Sequence, residues 1–370
     1  MKIADVSIGY ISIPLLVPFK TALRRVDRIR DLIVRVTLDS GEEGFGEAPP
    51  TAVITGETPQ SIETAVREYL APAILGQDPE DRDAFFGRLD RAMAKNTTAK
   101  AALDIAVHDA AGRALGIPLF RLLGRKAPDR VRNTLETDLT ISLNDPETMA
   151  ADARTAAERG FRILKVKVGR GGSTDVERVR RVREAAGADC VLRIDANQGW
   201  TPEEAVRTIG MMEDAGLNIE LVEQPVSCHD FKGMQYVTAR TKTPVLADES
   251  VFAPEDAARI IEERGADLIN IKLMKTGGIY QAEKICDMAE KAGVKCMMGC
   301  MLESAVSVSG AAHLAAARDI ISMCDLDGPD LCAENPYTGG PRFEESRIVI
   351  PETPGIGISG VPAAFESVGR

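Results

Sequence analysis

Five short runs share one pattern: ILKVKVG (163–169), VLRIDAN (191–197), IELVEQP (219–225), PVLADES (244–250) and LINIKL (268–273). Each is an apolar, strand-like stretch closed by a charge, and the closing residues are Lys167, Asp195, Glu223, Asp248 and Lys272. These charges fall 28, 28, 25 and 24 residues apart. That interval fits one strand, one helix and two short loops of a parallel α/β repeat. Charges at the C-terminal ends of successive parallel strands converge on one mouth when the sheet closes, and that mouth is where such barrels carry their chemistry.

Working outward, ETDLTIS (136–142), VKCMMGC (294–300) and ISMCDLD (321–327) bring the strand candidates to eight. Amphipathic helices separate them. In TDVERVRRVREAAG, Val176, Val179 and Val182 fall on one face. Thr201-Pro202-Glu203-Glu204 supplies an N-cap, a proline at the first helical position and a capping-box acid, and Gly216 stops that helix. The fold expected is α/β, a TIM-type barrel over 126–340 with an irregular last helix. Residues 1–125 read differently. Alternating stretches with a turn at Ser40-Gly41, then helical segments within 59–75, 79–93 and 96–116, imply an α+β lobe. Val6, Ile8 and Tyr10 are taken as one apolar strand face. Beyond about Gly340 the pattern lapses into RIVIPETPGIGISG, and this tail (341–370) is expected to complete the N-terminal lobe.

Composition narrows the function. A chain of 370 residues, 44% hydrophobic, can bury a large core, and a formal net charge of −11 argues against nucleic-acid or anionic-membrane partners. No run approaches the length of a membrane span, and Asp5 and Pro14 make the N-terminal stretch a poor signal peptide, so a cytoplasmic protein is expected. Seven cysteines without a CxxC pair are expected to be structural and reduced, and Cys300 is the one that is also a candidate for touching ligand. The three histidines show no metal-ligand spacing. A small-molecule substrate and a homo-oligomer are expected.

Residues two apart on a strand share a face, so Lys165 joins Lys167, Asn197 joins Asp195, Asn270 joins Lys272, and Asp325 joins Asp327. Two ammonium groups on one face repel, which favours the neutral, base-competent form of one of them. Asp195, Glu223 and Asp248 end three successive strands and offer hard oxygens to one ion, favouring Mg²⁺, with Mn²⁺ as a substitute, over Zn²⁺. Lys167 and Lys272 come from the second and sixth strands, across the mouth. Two bases on opposite faces of one carbon fit racemisation or epimerisation, and a cation on an adjacent carboxylate would neutralise the enediolate formed on proton removal. Asp325 and Asp327 suit a substrate ammonium. Lys20, Arg24, Arg25, Arg28 and Arg30 form a basic patch from which one arginine is expected to reach the mouth. A Schiff-base aldolase and a metal-dependent binding protein share parts of this pattern.

KVK (165–167), DAN (195–197), EQP (223–225), DES (248–250) and KLMKTGG (272–278) together resemble the muconate-lactonizing-enzyme subgroup of the enolase superfamily. The resemblance implies a modified (β/α)7β barrel under an α+β cap, Mg²⁺ on Asp195, Glu223 and Asp248, and Lys167 and Lys272 as the acid/base pair. Asp325-Leu326-Asp327 is similar to the DxD signature of dipeptide epimerases, whose acids bind the substrate amino group. Segments 18–24, 46–57, 135–142 and 266–279 resemble those of L-Ala-D/L-Glu epimerases. This implies interconversion of L-Ala-L-Glu and L-Ala-D-Glu, with Arg24, Thr140 and Lys165 near the glutamate side chain and Cys300 in a wall where other small residues occur. Its role would then be murein peptide metabolism. N-acylamino acid racemisation, o-succinylbenzoate synthesis and cycloisomerisation are the alternatives within the subgroup.

Overall fold

A computed structural model describes residues 1–21, 24–124 and 127–368. The chain opens with three antiparallel strands, β1 (Ile3–Lys20), β2 (Arg25–Leu38) and β3 (Glu43–Ala48), with the expected turn at Ser40-Gly41. Four helices follow. They are α1 (Pro59–Thr64), continued through a π-helical Ala65–Leu70 into α2 (Ala71–Ile74), then α3 (Arg82–Ala92) and α4 (Thr97–Ala114).

The two faces of β1 serve different cores. Val6 and Ile8 pack with the helices, whereas Ile11, Ile13 and Leu15 belong to the core shared with the barrel. Tyr10 does not continue the Val6–Ile8 face as a buried residue. It is 47% exposed, and its hydroxyl donates to Glu63 on α1. Helix α4 is buried nearly all round and lies flat on β3. Gly44 and Gly46 permit this, since a Cβ at either would strike the Ala106 or Ala102 carbonyl.

After α5 (Leu119–Leu123), the segment read as one strand divides into β4 (Thr134–Glu136) and β5 (Leu139–Ile141). Between them Thr137 bridges to Cys324, and Asp138 accepts from Arg193 Nη1 at 2.9 Å. Strand β5 begins a parallel eight-stranded sheet in strict chain order. Its other members are β6 (Ile163–Lys167), β7 (Val191–Asp195), β8 (Ile219–Glu223), β9 (Val245–Ala247), β10 (Leu268–Lys272), β11 (Cys296–Gly299) and β12 (Ile321–Asp325). The sheet nearly closes into a barrel. Besides the Thr137–Cys324 bridge, Leu326 N donates to Thr137 Oγ1 and Thr140 N to Asp327 Oδ2.

The intervening helices are α6 (Pro146–Glu158), α7 (Gly172–Ala186), α8 (Pro202–Asp214), α9 (Phe231–Thr238), α10 (Pro254–Glu262), α11 (Leu273–Thr276), α12 (Ile279–Ala292) and α13 (Ala305–Ala317). Val176, Val179 and Val182 are buried, and Thr201 with Glu204 forms the expected capping box. Strand β12 is followed only by the four-residue α14 (Gly328–Leu331), giving the (β/α)7β pattern. In the tail, β13 (Thr338–Gly339) pairs with β16 (Ile358–Gly360), β14 (Arg342–Glu344) pairs with β15 (Arg347–Val349), and β15 pairs with β4 beside the barrel. Strand β17 (Glu366–Ser367) then joins β1 in the cap sheet. All seven cysteines are free. Among the described residues no helix is long and apolar enough to cross a membrane.

Candidate active site

Strand register sets the site. Lys167 pairs with Asp195 and Asp195 with Glu223, while Lys272 pairs with Gly299 and Gly299 with Asp325. Identical position in successive strands therefore becomes lateral adjacency at the mouth. Gly299 leaves room here, because a Cβ would meet the Asn270 and Lys272 side chains.

One cavity at this mouth is lined by Arg24, Thr140, Lys165, Lys167, Asp248, Lys272, Cys300, Asp325 and Asp327. Asp195 and Glu223 lie just beneath, fully buried. Lys167 Nζ stands 2.6 Å from Asp195 Oδ2, and Lys272 Nζ 2.8 Å from Asp248 Oδ2. Lys165 Nζ reaches Asp325 Oδ2 at 2.6 Å, Glu223 Oε2 at 2.7 Å and Asp195 Oδ2 at 3.3 Å. Lys165 and Lys167 thus share the Asp195 oxygen, so the repulsion expected between them is offset by carboxylates. Burial alone would lower the Lys165 pKa, but Asp325, Glu223 and Asp195 carry it well above the usual lysine value. Burial is likewise overcome for Lys272 by Asp248, raising its pKa, and for Asp248 by Lys272 and Lys275, lowering it. Burial, then Asp195, pushes the Glu223 carboxyl up to about 7.

The three carboxylates offer oxygen donors only. Among the described residues they do not close as a ready-made cage, because each is drawn onto lysines. Glu223 Oε2 and Asp248 Oδ1 receive no well-directed hydrogen bond and are contacted at 2.7 Å by the ammonium groups of Lys165 and Lys275. Buried, hydrogen-bond-poor carboxylate oxygens fit a hard divalent cation.

The two acids of the DxD sequence differ. Asp325 is paired with Lys165, whereas Asp327 accepts from the Thr140 amide at 2.7 Å, and burial, then Asp325, lifts it to about 6. Arg24 is the arginine of the basic patch that reaches the cavity, and Arg28 and Arg30 are exposed on β2. Burial lowers the Arg24 pKa, and Asp31 opposes the shift. The Cys300 thiol is pushed well up by burial and then by Glu303.

Several contributors had no individual signal in the sequence. Lys275 is fully buried, paired to Asp248 Oδ1 at 2.7 Å and donating to Asn270 O at 3.0 Å. It belongs to KLMKTGG but lies beyond the strand, where period-two reasoning stops. Glu249 lines the cavity, and burial, then Asp248, raises it to about 8. Phe19, Val53, Ile54, Met301 and Leu302 form apolar walls drawn from cap and barrel loops.

Comparison with known proteins now bears on this geometry. Residues 4–124 match the model for the mandelate racemase / muconate lactonizing enzyme N-terminal domain, and residues 148–363 the enolase C-terminal domain-like model. The chain belongs to the mandelate racemase / muconate lactonizing enzyme family. An L-Ala-D/L-Glu epimerase of Clostridium acetobutylicum is 50% identical over 361 residues, covering 98% of this chain and 99% of the relative. A substrate-liganded L-Ala-D/L-Glu epimerase from Bacillus subtilis superimposes with a TM-score of 0.95 at 47% identity, covering 98% of this chain and 100% of the other. A dipeptide epimerase from Enterococcus faecalis, solved with Mg and L-Leu-L-Tyr, gives a TM-score of 0.93 at 40% identity, covering 97% and 100%. Family membership explains why the barrel and cap share one site, and this member is an isomerase, as its epimerase and racemase relatives are.

Proposed function

We propose that this isomerase epimerises the C-terminal residue of dipeptides, with L-Ala-L-Glu and L-Ala-D-Glu as the favoured pair. The observation that carries the reading is the placement of Lys167 and Lys272 on strands β6 and β10, each on its own carboxylate and both lining one cavity. Asp195, Glu223 and Asp248 would hold Mg²⁺, with Mn²⁺ as a substitute. When bound, the cation supplies neutralisation of the charge that develops on the substrate carboxylate as its α-proton leaves. Lys167 and Lys272 act from opposite sides of the α-carbon: one takes the proton and the other returns one, which inverts the centre.

Asp325, helped by Asp327, receives the substrate ammonium, and Arg24 receives the glutamate side-chain carboxylate beside Thr140 and Lys165. Phe19 and the Met301–Leu302 wall exclude water from the α-carbon. The epimerase relatives, similar over nearly the whole chain, support this assignment, as does the Mg-containing dipeptide complex of the Enterococcus protein. We further propose a cytoplasmic enzyme of murein peptide metabolism, in keeping with seven free cysteines. Incubation of L-Ala-L-Glu with protein and Mg²⁺ in D₂O tests the proposal. Deuterium at the glutamate α-carbon and appearance of L-Ala-D-Glu are expected, and neither label nor second diastereomer after prolonged incubation would refute it.

A further inference from the structure

A groove adjoins the candidate active site where the cap loop between β1 and β2 meets the barrel loops after β5 and β6. Five of its eight lining residues are Lys20, Arg24, Arg25, Arg170 and Arg178, and none is a carboxylate. In a chain of formal net charge −11 this is a local reversal of sign. Thr21 and Arg24 line both this groove and the main cavity, so the two spaces share a wall.

The charges are framed rather than scattered. Lys20 N donates to Ser142 Oγ at 3.2 Å and Leu143 N to Lys20 O at 3.1 Å, stitching the cap loop to the barrel loop. Asn144 then spaces two of the cations: its Oδ1 accepts from Lys20 Nζ at 3.0 Å and its carbonyl from Arg178 Nε at 2.8 Å. Arg178 is mostly buried, at 13% side-chain exposure, and is held at 2.8 Å by Asp175, while Arg25 pairs with the exposed Asp27. Cations gathered in a concave, partly desolvated space concentrate anions, and guanidinium groups match carboxylates in pairs.

We infer that this groove is a second anion subsite of the enzyme, taking a carboxylate carried outward from the side chain of the epimerised residue, beyond the reach of Arg24. The inference rests on the epimerase reading and extends it to a substrate class: small peptides whose C-terminal glutamate is extended through its side-chain carboxyl by a further acidic unit. One added residue moves the terminal carboxylate outward by at most about 3.6 Å, from the wall at Arg24 toward Lys20 and Arg170. A polyanion is a poor alternative, because the rest of the surface carries net negative charge.

The test compares L-Ala-L-Glu with the same dipeptide bearing glycine amide-linked to the glutamate side-chain carboxyl, using wild type and a Lys20→Met, Arg170→Met double variant. Arg178 is left intact because its pairing with Asp175 also supports the loop at 169–170. The ratio of kcat/KM for the extended compound over L-Ala-L-Glu is expected to fall about tenfold in the double variant, the loss of one charge-assisted contact. The single variants give the same reading if the double variant fails to fold. If L-Ala-L-Glu is epimerised and the ratio is unchanged, the subsite is refuted and the epimerase reading stands. If neither compound exchanges its α-proton, the epimerase reading falls, and calorimetric titration of the extended compound decides the subsite: binding weakened in the variants supports it, and no binding to wild type overturns it.

Discussion

Glu47 ties the cap to the barrel, and its replacement by glutamine should loosen the joint measurably. The side chain projects from the penultimate residue of β3, is fully buried, and accepts four hydrogen bonds from the start of α13: Ser304 N at 2.9 Å, Ser304 Oγ at 2.8 Å, Ser307 N at 2.9 Å and Ser307 Oγ at 3.1 Å. Glutamine keeps the shape but presents an NH₂ where one acceptor oxygen stood. The hydroxyls can rotate to accept from it, whereas a backbone N–H cannot. At least one buried amide therefore loses its acceptor, at a cost of about 1–3 kcal/mol. Loss of the anion at a helix N-terminus adds about 0.3–1 kcal/mol. Together these cost about 1.3–4 kcal/mol, which corresponds to at least about a ninefold loss of protection against amide hydrogen exchange in residues 303–310. The assay is exchange read by mass spectrometry on Glu47→Gln, with α8 as the internal reference. Met301 and Leu302 line the cavity just before Ser304, so KM for the dipeptide should rise as well. Protection within about threefold of wild type would refute the reasoning, because about a ninefold loss is the smallest these bonds predict.

Three further outcomes follow from other contacts. Asp31 is fully buried and held well above 3.8, by burial and then by Glu47, so its stabilising contribution is complete below about 3.8 and drains away as pH rises toward the raised value; Asp31→Asn should give a flatter stability-versus-pH curve by urea denaturation, and equal slopes for the two proteins would contradict this. Gly46→Ala places a Cβ against the Ala102 carbonyl and should destabilise the cap by about 1–3 kcal/mol, seen as a lower midpoint of denaturation. Arg24→Met should cut kcat/KM for L-Ala-L-Glu about 100-fold, the upper range for a charge-assisted pair, with a much smaller effect on L-Ala-L-Leu; a parallel loss on both peptides would remove Arg24 from side-chain recognition.

Much of the molecule was readable from spacing because a barrel converts period into geometry. The 28-residue intervals make Lys167, Asp195 and Glu223 in-register neighbours, the shorter intervals bring Asp248 and Lys272 to the same mouth, and nine of the eleven residues singled out line a single cavity. What escaped has physical reasons. The break at Thr137-Asp138 depends on barrel closure through Cys324 and Arg193, which are far off in the chain. Tyr10 keeps the strand's phase but stands exposed with its hydroxyl on Glu63 of α1, a polar contact that alternation alone does not foretell. Lys275 sits in the four-residue helix α11 and Glu249 in the turn after β9, segments too short for a helical or strand period to assign a face. The pairing of Lys165 with three carboxylates was not foreseen, since same-face reasoning compares residues on one strand and misses the neighbours on adjoining strands.

The most direct test of the two-base account is deuterium incorporation by Lys167→Ala and Lys272→Ala, each offered L-Ala-L-Glu and L-Ala-D-Glu separately in D₂O. Each variant should fail to interconvert the diastereomers, and any residual α-proton exchange should be confined to one diastereomer, the opposite one in the two variants. Interconversion by either variant at the wild-type rate, or exchange confined to the same diastereomer in both, would contradict it.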